Sequence, residues 1–184
     1  LLSSLGYTQQ VFFEEDFSGG LNQFNSYAED GDGFEWTAYD WGDGQGNVAS
    51  SASWNSGAGA LTPDNWLISV PIDLSGASGN VVLEWIVKAQ DQNWVNEYYT
   101  VYISTSDSID SLSASSISYG ETVGSSSGYL SRSLDLSSFV GDTIYIGFRH
   151  HNCYDMFYIN IDDIKIKSIP PYEIELDNIS MLPS

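Results

Sequence analysis

His150, His151, Cys153 and Asp155 fall within one six-residue stretch, 150–155, a spacing that invites a cysteine–histidine nucleophile or a zinc site. On an extended strand His151, Cys153 and Asp155 share one side. A zinc site needs a second pair of ligands, and the sequence has no other His or Cys. A reactive thiolate wants an electropositive surround. Five Lys and Arg against 25 Asp and Glu give a net charge of −20 instead. The cluster is read as strand-end packing with polar tips, and no catalytic residue is assigned. Glycoside hydrolysis needs two carboxylates about 5–9.5 Å apart, but among this many acids such pairs arise by chance. Gly-x-Ser-x-Gly is matched only by Gly124–Gly128, inside a Ser/Gly-rich connection with no strand-to-helix elbow around it, and no phosphate-binding loop is present.

The acids themselves are the next candidates. Glu14, Glu15 and Asp16 end an apolar run, VFFEEDF, in which alternation puts Glu15 on the side of Phe13 and Phe17. A carboxylate on a buried face demands a partner, and with so few cations a metal is the favoured one. Calcium takes about six to eight oxygens, carboxylate and carbonyl mixed. Asp30-Gly31-Asp32-Gly33 looks like the first half of an EF-hand loop, but Phe34 stands where the next ligand belongs. An EF-hand is rejected, and a generic calcium loop through Asp30 and Asp32 is expected. Asp162-Asp163 interrupts FYINIDDIKIK: Phe157, Ile159 and Ile161 share one face, and Ile164 and Ile166 lie on the other. That change of phase predicts a β-bulge. The alternative for these acids is a solvated edge that deters aggregation. Asp64 and Asn65 fit a turn leading into a strand that buries Trp66, with ligation as the alternative. Asp91 fits either a turn cap or a groove.

Six Trp and twelve Tyr exceed what the core of one small sandwich requires. Trp41, Trp54 and Trp94 sit in loops rich in Gly, Ser, Asn and Asp, and they are the expected ligand surface. Stacking on sugars and protein hot spots suit them equally, and anchoring their own loops is the bland alternative.

The elements that must position these groups are strands. NWLISVPIDL, NVVLEWIVKA, EYYTVYISTS, TIYIGFRHH and MFYINIDDIKIK alternate or run apolar for five to eight residues between turn-forming clusters. No window holds a helical apolar period. The pattern predicts an all-β antiparallel protein, most simply a two-sheet sandwich. Ser104–Ser133 is expected to be a long surface connection with one embedded short strand. Residues 1–10 read as an N-terminal lead, possible remnant of a signal peptide, residues 11–168 as the folded domain, and residues 169–184 as a Pro-Pro linker with the first strand of a following β-domain. The chain has 184 residues, 42% hydrophobic and 14% aromatic, which is ample for one core. Its charge excludes binding to a phosphate backbone by counterion release and opposes docking on an anionic membrane. It has no apolar run of about 18 residues that would span a bilayer. One cysteine excludes an internal disulfide, so a secreted domain of this kind needs another source of rigidity.

LTPDNWLISVPIDL, KAQDQNWVNEYYTVYIS and FRHHNCYDMFYINIDDIKI, in that order and after EEDFSGGLNQF and EDGDGFEW, resemble the cleaved-adhesin family of gingipain-associated haemagglutinin/adhesin domains. The resemblance runs from about Phe13 to Lys167. It implies a jelly-roll sandwich of MAM-like shape that binds Ca²⁺ and acts in adhesion, non-catalytically, on the bacterial surface or in secretion. Glycan or host and matrix proteins are the implied ligands, with further domains in the same parent chain. A carbohydrate-binding module accessory to a secreted hydrolase is the alternative, and a hydrolase in its own right the less favoured one. In a jelly roll the first and last strands are neighbours, so Glu15 and Asp163 could meet on one ion. Where many relatives carry Glu after the phenylalanine of the opening strand, this chain has Ser18. Coordination there would fall to Glu14, Glu15, Asp16 or water.

Overall fold

The computed structural model describes residues 9–169. Most of the lead 1–10 and nearly all of the linker and strand expected over 169–184 lie outside the described residues. The strands are β1 (Val11–Glu15), β2 (Phe24–Ala28), β3 (Thr37–Asp40), β4 (Asn47–Ala52), β5 (Trp54–Asn55), β6 (Gly59–Ala60) and β7 (Asn65–Ser69). They continue as β8 (Ile72–Asp73), β9 (Asn80–Ala89), β10 (Tyr98–Ser104), β11 (Ser118–Thr122), β12 (Leu130–Asp135), β13 (Thr143–His150) and β14 (Tyr158–Ile169). One sheet runs β12–β9–β14–β4–β3, with β1 also on β14. The other runs β11–β10–β13–β7–β2, with β8 on β13, and β5–β6 form a small hairpin. The two face each other as an antiparallel jelly-roll β-sandwich, the fold that the strand pattern and the resemblance predict.

Alternation fills the space between the sheets. Trp85, Val87, Tyr99, Val101, Ile144, Ile146, Phe148, Ile159 and Ile161 are all buried there. Each large side chain so buried contributes about 1.5–3 kcal/mol. At one side the edge strands β11 and β12 are tied across the layers. Trp85 Nε1 donates to the Tyr99 hydroxyl (2.9 Å), which donates to Glu121 Oε1 (2.9 Å), and Arg132 grips the same carboxylate with Nε and Nη2. All five cations of the chain are paired in this way: Arg132 with Glu121, Lys88 with Asp43, Arg149 with Asp64, Lys165 with Glu14 and Lys167 with Glu84.

The Ser104–Ser133 connection holds more than the sequence pattern announces. It contains the expected short strand, β11, and also a one-turn helix, α1 (Ile109–Ser113), capped by Ser108 Oγ accepting from the Ser111 N–H. Five residues are too few to show a helical period. Leu112 pins the turn to the outer face of the second sheet, against Trp66 and Ile68. Trp66 is therefore buried as expected, but under α1 on the outer face of the sheet. Gly147 on β13 makes the approach possible: a Cβ there would sit 3.1 Å from Leu112 Cδ1 and 3.2 Å from Trp66 Cζ3. Gly147→Ala is expected to destabilise the domain by about 1–3 kcal/mol through overpacking. Denaturant melts of Gly147→Ala, Leu112→Ala and the double variant check this, because the alanine at 147 costs less once Leu112 is truncated.

Candidate functional site

Three groups of side chains stand out: an aromatic surface, an acidic centre and a buried polar network. The aromatic surface gathers where β14 begins. Trp41, between β3 and β4, lies 4.8 Å (ring centroids) from Tyr39, 5.0 Å from Tyr158 and 5.7 Å from Phe157. Phe157 continues the row to Trp54 at 5.9 Å. Trp41 is held in place by its indole N–H, which reaches Asn160 Oδ1 at 3.1 Å and Ser50 Oγ at 3.3 Å. Trp94, 52% exposed, stands with Trp54 and Phe157 around an open cleft of about 380 Å³ that Asp91 and Asp155 also line. Asp91 caps its own turn, accepting from the Asn93 and Trp94 N–H groups, so both of its sequence readings hold. The structure thus places Trp41, Trp54 and Trp94 on one connected surface, although 53 residues separate the first from the last. Tyr39, Phe157 and Tyr158 complete it, and they were not singled out from sequence because they read as ordinary strand residues.

The acidic centre is built around the bulge in β14. The register against β9 shifts between Asp162 and Lys165, and Asp163 takes a left-handed φ of 49°. Ile159 and Ile161 before the bulge and Ile164 and Ile166 after it all reach the same core, as the change of phase requires. Glu14, Glu15, Asp16 and Asp163 line one cleft of about 870 Å³. Glu15 is buried, and its two oxygens accept from the Phe17 N–H (2.7 Å) and from Gln23 Nε2 (3.1 Å). Asp16 accepts from the Ser18 N–H and hydroxyl, which hold its carboxyl below the usual range. Ser18, the departure from the family pattern, thus serves as a donor to Asp16. Asp162 is 1% exposed beneath the β3–β4 loop; Gln45 Nε2 donates to its Oδ2 (2.8 Å), while Oδ1 has no partner. Burial, with smaller contributions from Asp163 and Asp16, pushes the Asp162 carboxyl up to about 6. An orphaned, buried carboxylate oxygen beside two more acids is a donor set that fits a hard dication.

Asp30 and Asp32 do not join that centre. Gln23, which contacts Glu14 and Glu15, stands just before β2, and Asp30 lies beyond its other end. At an extended rise of about 3.3 Å per residue the two are roughly 20 Å apart. Asp30 accepts from the Asp32 and Asp64 N–H groups, and Asp32 accepts from the Phe34 N–H. Burial first, then Asp30, raises the Asp32 carboxyl. Asp64 forms a two-pronged pair with Arg149 at 2.7 Å on both prongs. That pair holds its carboxyl below the ordinary range.

The third group is a residue set that the sequence separated. Glu97, just before β10, meets His150 at the end of β13 and Cys153 in the following loop. Their ligating atoms lie within 4.8 Å of one another, the one such group among the described residues. Glu97 and His150 are fully buried and Cys153 is 9% exposed. His151 points elsewhere, to Thr100 Oγ1 at 2.9 Å, and burial then Arg149 push its ring down to about 4. For His150 burial is opposed and outweighed by Cys153 and Glu97, so its pKa rises to about 9. Glu97 carries no local signal: it is a lone acid in VNEYYT, 53 residues from its histidine.

Comparison with known proteins places this geometry. The Cleaved Adhesin Domain model matches residues 11–166. Gingipain R1 of Porphyromonas gingivalis is 30% identical over 179 residues, covering 84% of this chain and 10% of the relative. The chain therefore spans about a tenth of the length of the curated relatives it matches first. Among solved structures, the K3 cleaved adhesin domain of Lys-gingipain from P. gingivalis W83 superposes with a TM-score of 0.75 at 27% identity. That match covers 87% of this chain and 99% of the other. The carbohydrate-binding module TmCBM61, in complex with beta-1,4-galactotriose, shares the fold at a TM-score of 0.59 and 9% identity, covering 85% and 97%. Among the described residues no helix is long and apolar enough to cross a membrane.

The raised Asp162 carboxyl has a direct consequence for stability. Its pKa moves from 3.8 in the unfolded chain to about 6 in the fold, so its protonated form stabilises the native state. That contribution is complete below about pH 4 and is lost as pH rises through about 6. His151 acts in the opposite sense over the same range, so the effect is read as a difference between proteins. In chelator, Asp162→Asn is expected to melt higher than wild type at pH 7.5 and to lose that advantage at pH 4.5. Thermal melts across this range check it.

Proposed function

This chain belongs to the cleaved adhesin domain family, and on that premise we propose that it is a secreted or surface-exposed adhesion module. It binds glycan through the aromatic surface around Trp54 and Trp94. The observation that carries the reading is the connected row Tyr39–Trp41–Tyr158–Phe157–Trp54, which opens at Trp94 into a cleft with two carboxylates. Ring faces offer stacking to the C–H faces of a sugar, and Asp91 and Asp155 offer acceptors to its hydroxyls. No free cation stands by to pair with an anionic sugar, so the favoured ligands are neutral. A non-catalytic role is supported by the burial of Glu97, His150 and Cys153, which keeps the one cysteine–histidine pair from a substrate.

Calcium is proposed as a structural ion at the acidic centre, with Asp162, Asp163 and Asp16 as ligands and Glu15 holding the adjoining turn. The partnerless Asp162 Oδ1 supports this. Bound there, the ion would fix β14, β1 and the β3–β4 loop that carries Trp41. Asp30 and Asp32 remain candidates for a separate loop site.

Two measurements test these readings. Calcium added to chelator-treated protein is expected to raise the melting temperature by several degrees where magnesium does not, and Asp162→Asn is expected to abolish the rise. An unchanged melt would remove calcium from the proposal. On a glycan array, Trp94→Ala and Trp54→Ala are each expected to weaken binding about 10- to 30-fold, the loss of one stacking anchor. Binding only to matrix proteins, with the same tryptophan dependence, would replace glycan by protein as the ligand.

A further inference from the structure

Glu97, His150 and Cys153 form a compact set at the interior end of the sandwich. Glu97 Oε2 lies 2.9 Å from His150 Nε2 and 3.3 Å from Cys153 Sγ, and the sulfur is 3.1 Å from the same ring nitrogen. A tetrahedral zinc ion with its usual bond lengths separates such ligand atoms by about 3.3–3.6 Å. The three atoms are thus within about half an ångström of one face of that tetrahedron. The surrounding groups hold the ligands as metal sites require. The other carboxylate oxygen, Glu97 Oε1, accepts from the Phe157 N–H (2.7 Å) and the Ser53 hydroxyl (2.9 Å), which leaves Oε2 for the ion. His150 Nδ1 meets Ser51 Oγ at 2.8 Å, and Asn65 Nδ2 donates to that same oxygen at 3.1 Å. With Ser51 accepting a hydrogen bond from Nδ1–H, Nε2 is the ring nitrogen left to bind the ion once its own proton is displaced.

The geometry points to a transition-metal site, of the class that takes Zn²⁺ or Co²⁺, formed by Glu97, His150 and Cys153. Thiolate, imidazole and carboxylate together select such an ion over calcium, which takes oxygen ligands. Three protein ligands leave a fourth position for water. Binding displaces to solvent the protons carried by Cys153 Sγ and His150 Nε2. The site is separate from the acidic centre and does not depend on calcium being bound there. The sequence argument against zinc, that a second His or Cys is missing, fails because a carboxylate distant in sequence supplies the third ligand.

Cobalt is the probe, because Cys153 is the only thiol in the chain. The whole chain is refolded in Co²⁺ with excess Ca²⁺, so that slow entry into a closed interior cannot mask binding and surface carboxylates are occupied. A thiolate-to-cobalt charge-transfer band saturating at one ion per chain is expected, with Zn²⁺ displacing it. Cys153→Ser should lose the band while folding normally by circular dichroism. Ser51→Ala, which touches no metal, should keep the band but weaken cobalt about 10- to 100-fold. A folded chain that gives no band, or a band that survives Cys153→Ser, overturns the assignment.

Discussion

Strand β14 carries the constraint on which the rest of the domain depends. One of its edges is paired with β9 along almost its full length, from Ile159 opposite Ala89 to Ile169 opposite Asn80. Its other edge serves two partners in turn, β4 up to Ile161 and β1 from Ile164 onward. The change of partner coincides with the bulge, and a straight strand could not make it while keeping isoleucines on the core side in both halves. The extra residue there presents two adjacent acids at the one place where β1, β4 and β14 meet. The acidic centre is thus a by-product of how the first sheet is closed.

The interior is divided along the same axis. Around Val81, Leu83, Ile164 and Ile166 the sheets meet through apolar side chains. At the other end the filling is polar: Ser51, Asn65, Glu97 and His150 are buried and bonded to one another or to backbone. A buried carboxylate in such a place costs more than it returns unless every lone pair finds a donor. Here the donors are Ser53 just after β4, His150 at the end of β13 and the Phe157 N–H leading into β14. The polar end therefore fixes the relative position of loops that an apolar core would leave to slide. Those loops carry Trp41 and Trp94, and the β5–β6 hairpin beside them carries Trp54.

How far the site was legible in sequence follows from this arrangement. Period-two patterns identified β7, β9, β10, β13 and β14 but not β2, β3, β4 or the β5–β6 hairpin, and the broken phase at Asp162-Asp163 announced the bulge, because alternation is written locally. Loop tryptophans among small polar residues pointed to one surface for the same reason. What alternation does not encode is which ends of which strands come together. The local spacing of Asp30 and Asp32 suggests a calcium loop, but only the fold shows that β2 separates them from Glu15. Glu97 and His150 gave no sign of each other, since their meeting depends on β10 and β13 being neighbours in register. The α1 turn was hidden because its docking on Trp66, rather than any periodicity of its own, makes it helical.

The pairing of β1 with the end of β14 sets Val11 opposite Lys167, so the chain enters and leaves the domain side by side. The aromatic surface lies at the other pole, roughly 30 Å away along β14. A load between the neighbouring chain on either side would peel β1 from β14 one hydrogen-bonded pair at a time. A load between a ligand held at the aromatic pole and the rest of the chain runs instead along β14, and its many bonds to β9 resist together in shear. The module is therefore mechanically anisotropic. It is soft when its own chain is stretched and stiff when the load is applied at the aromatic pole.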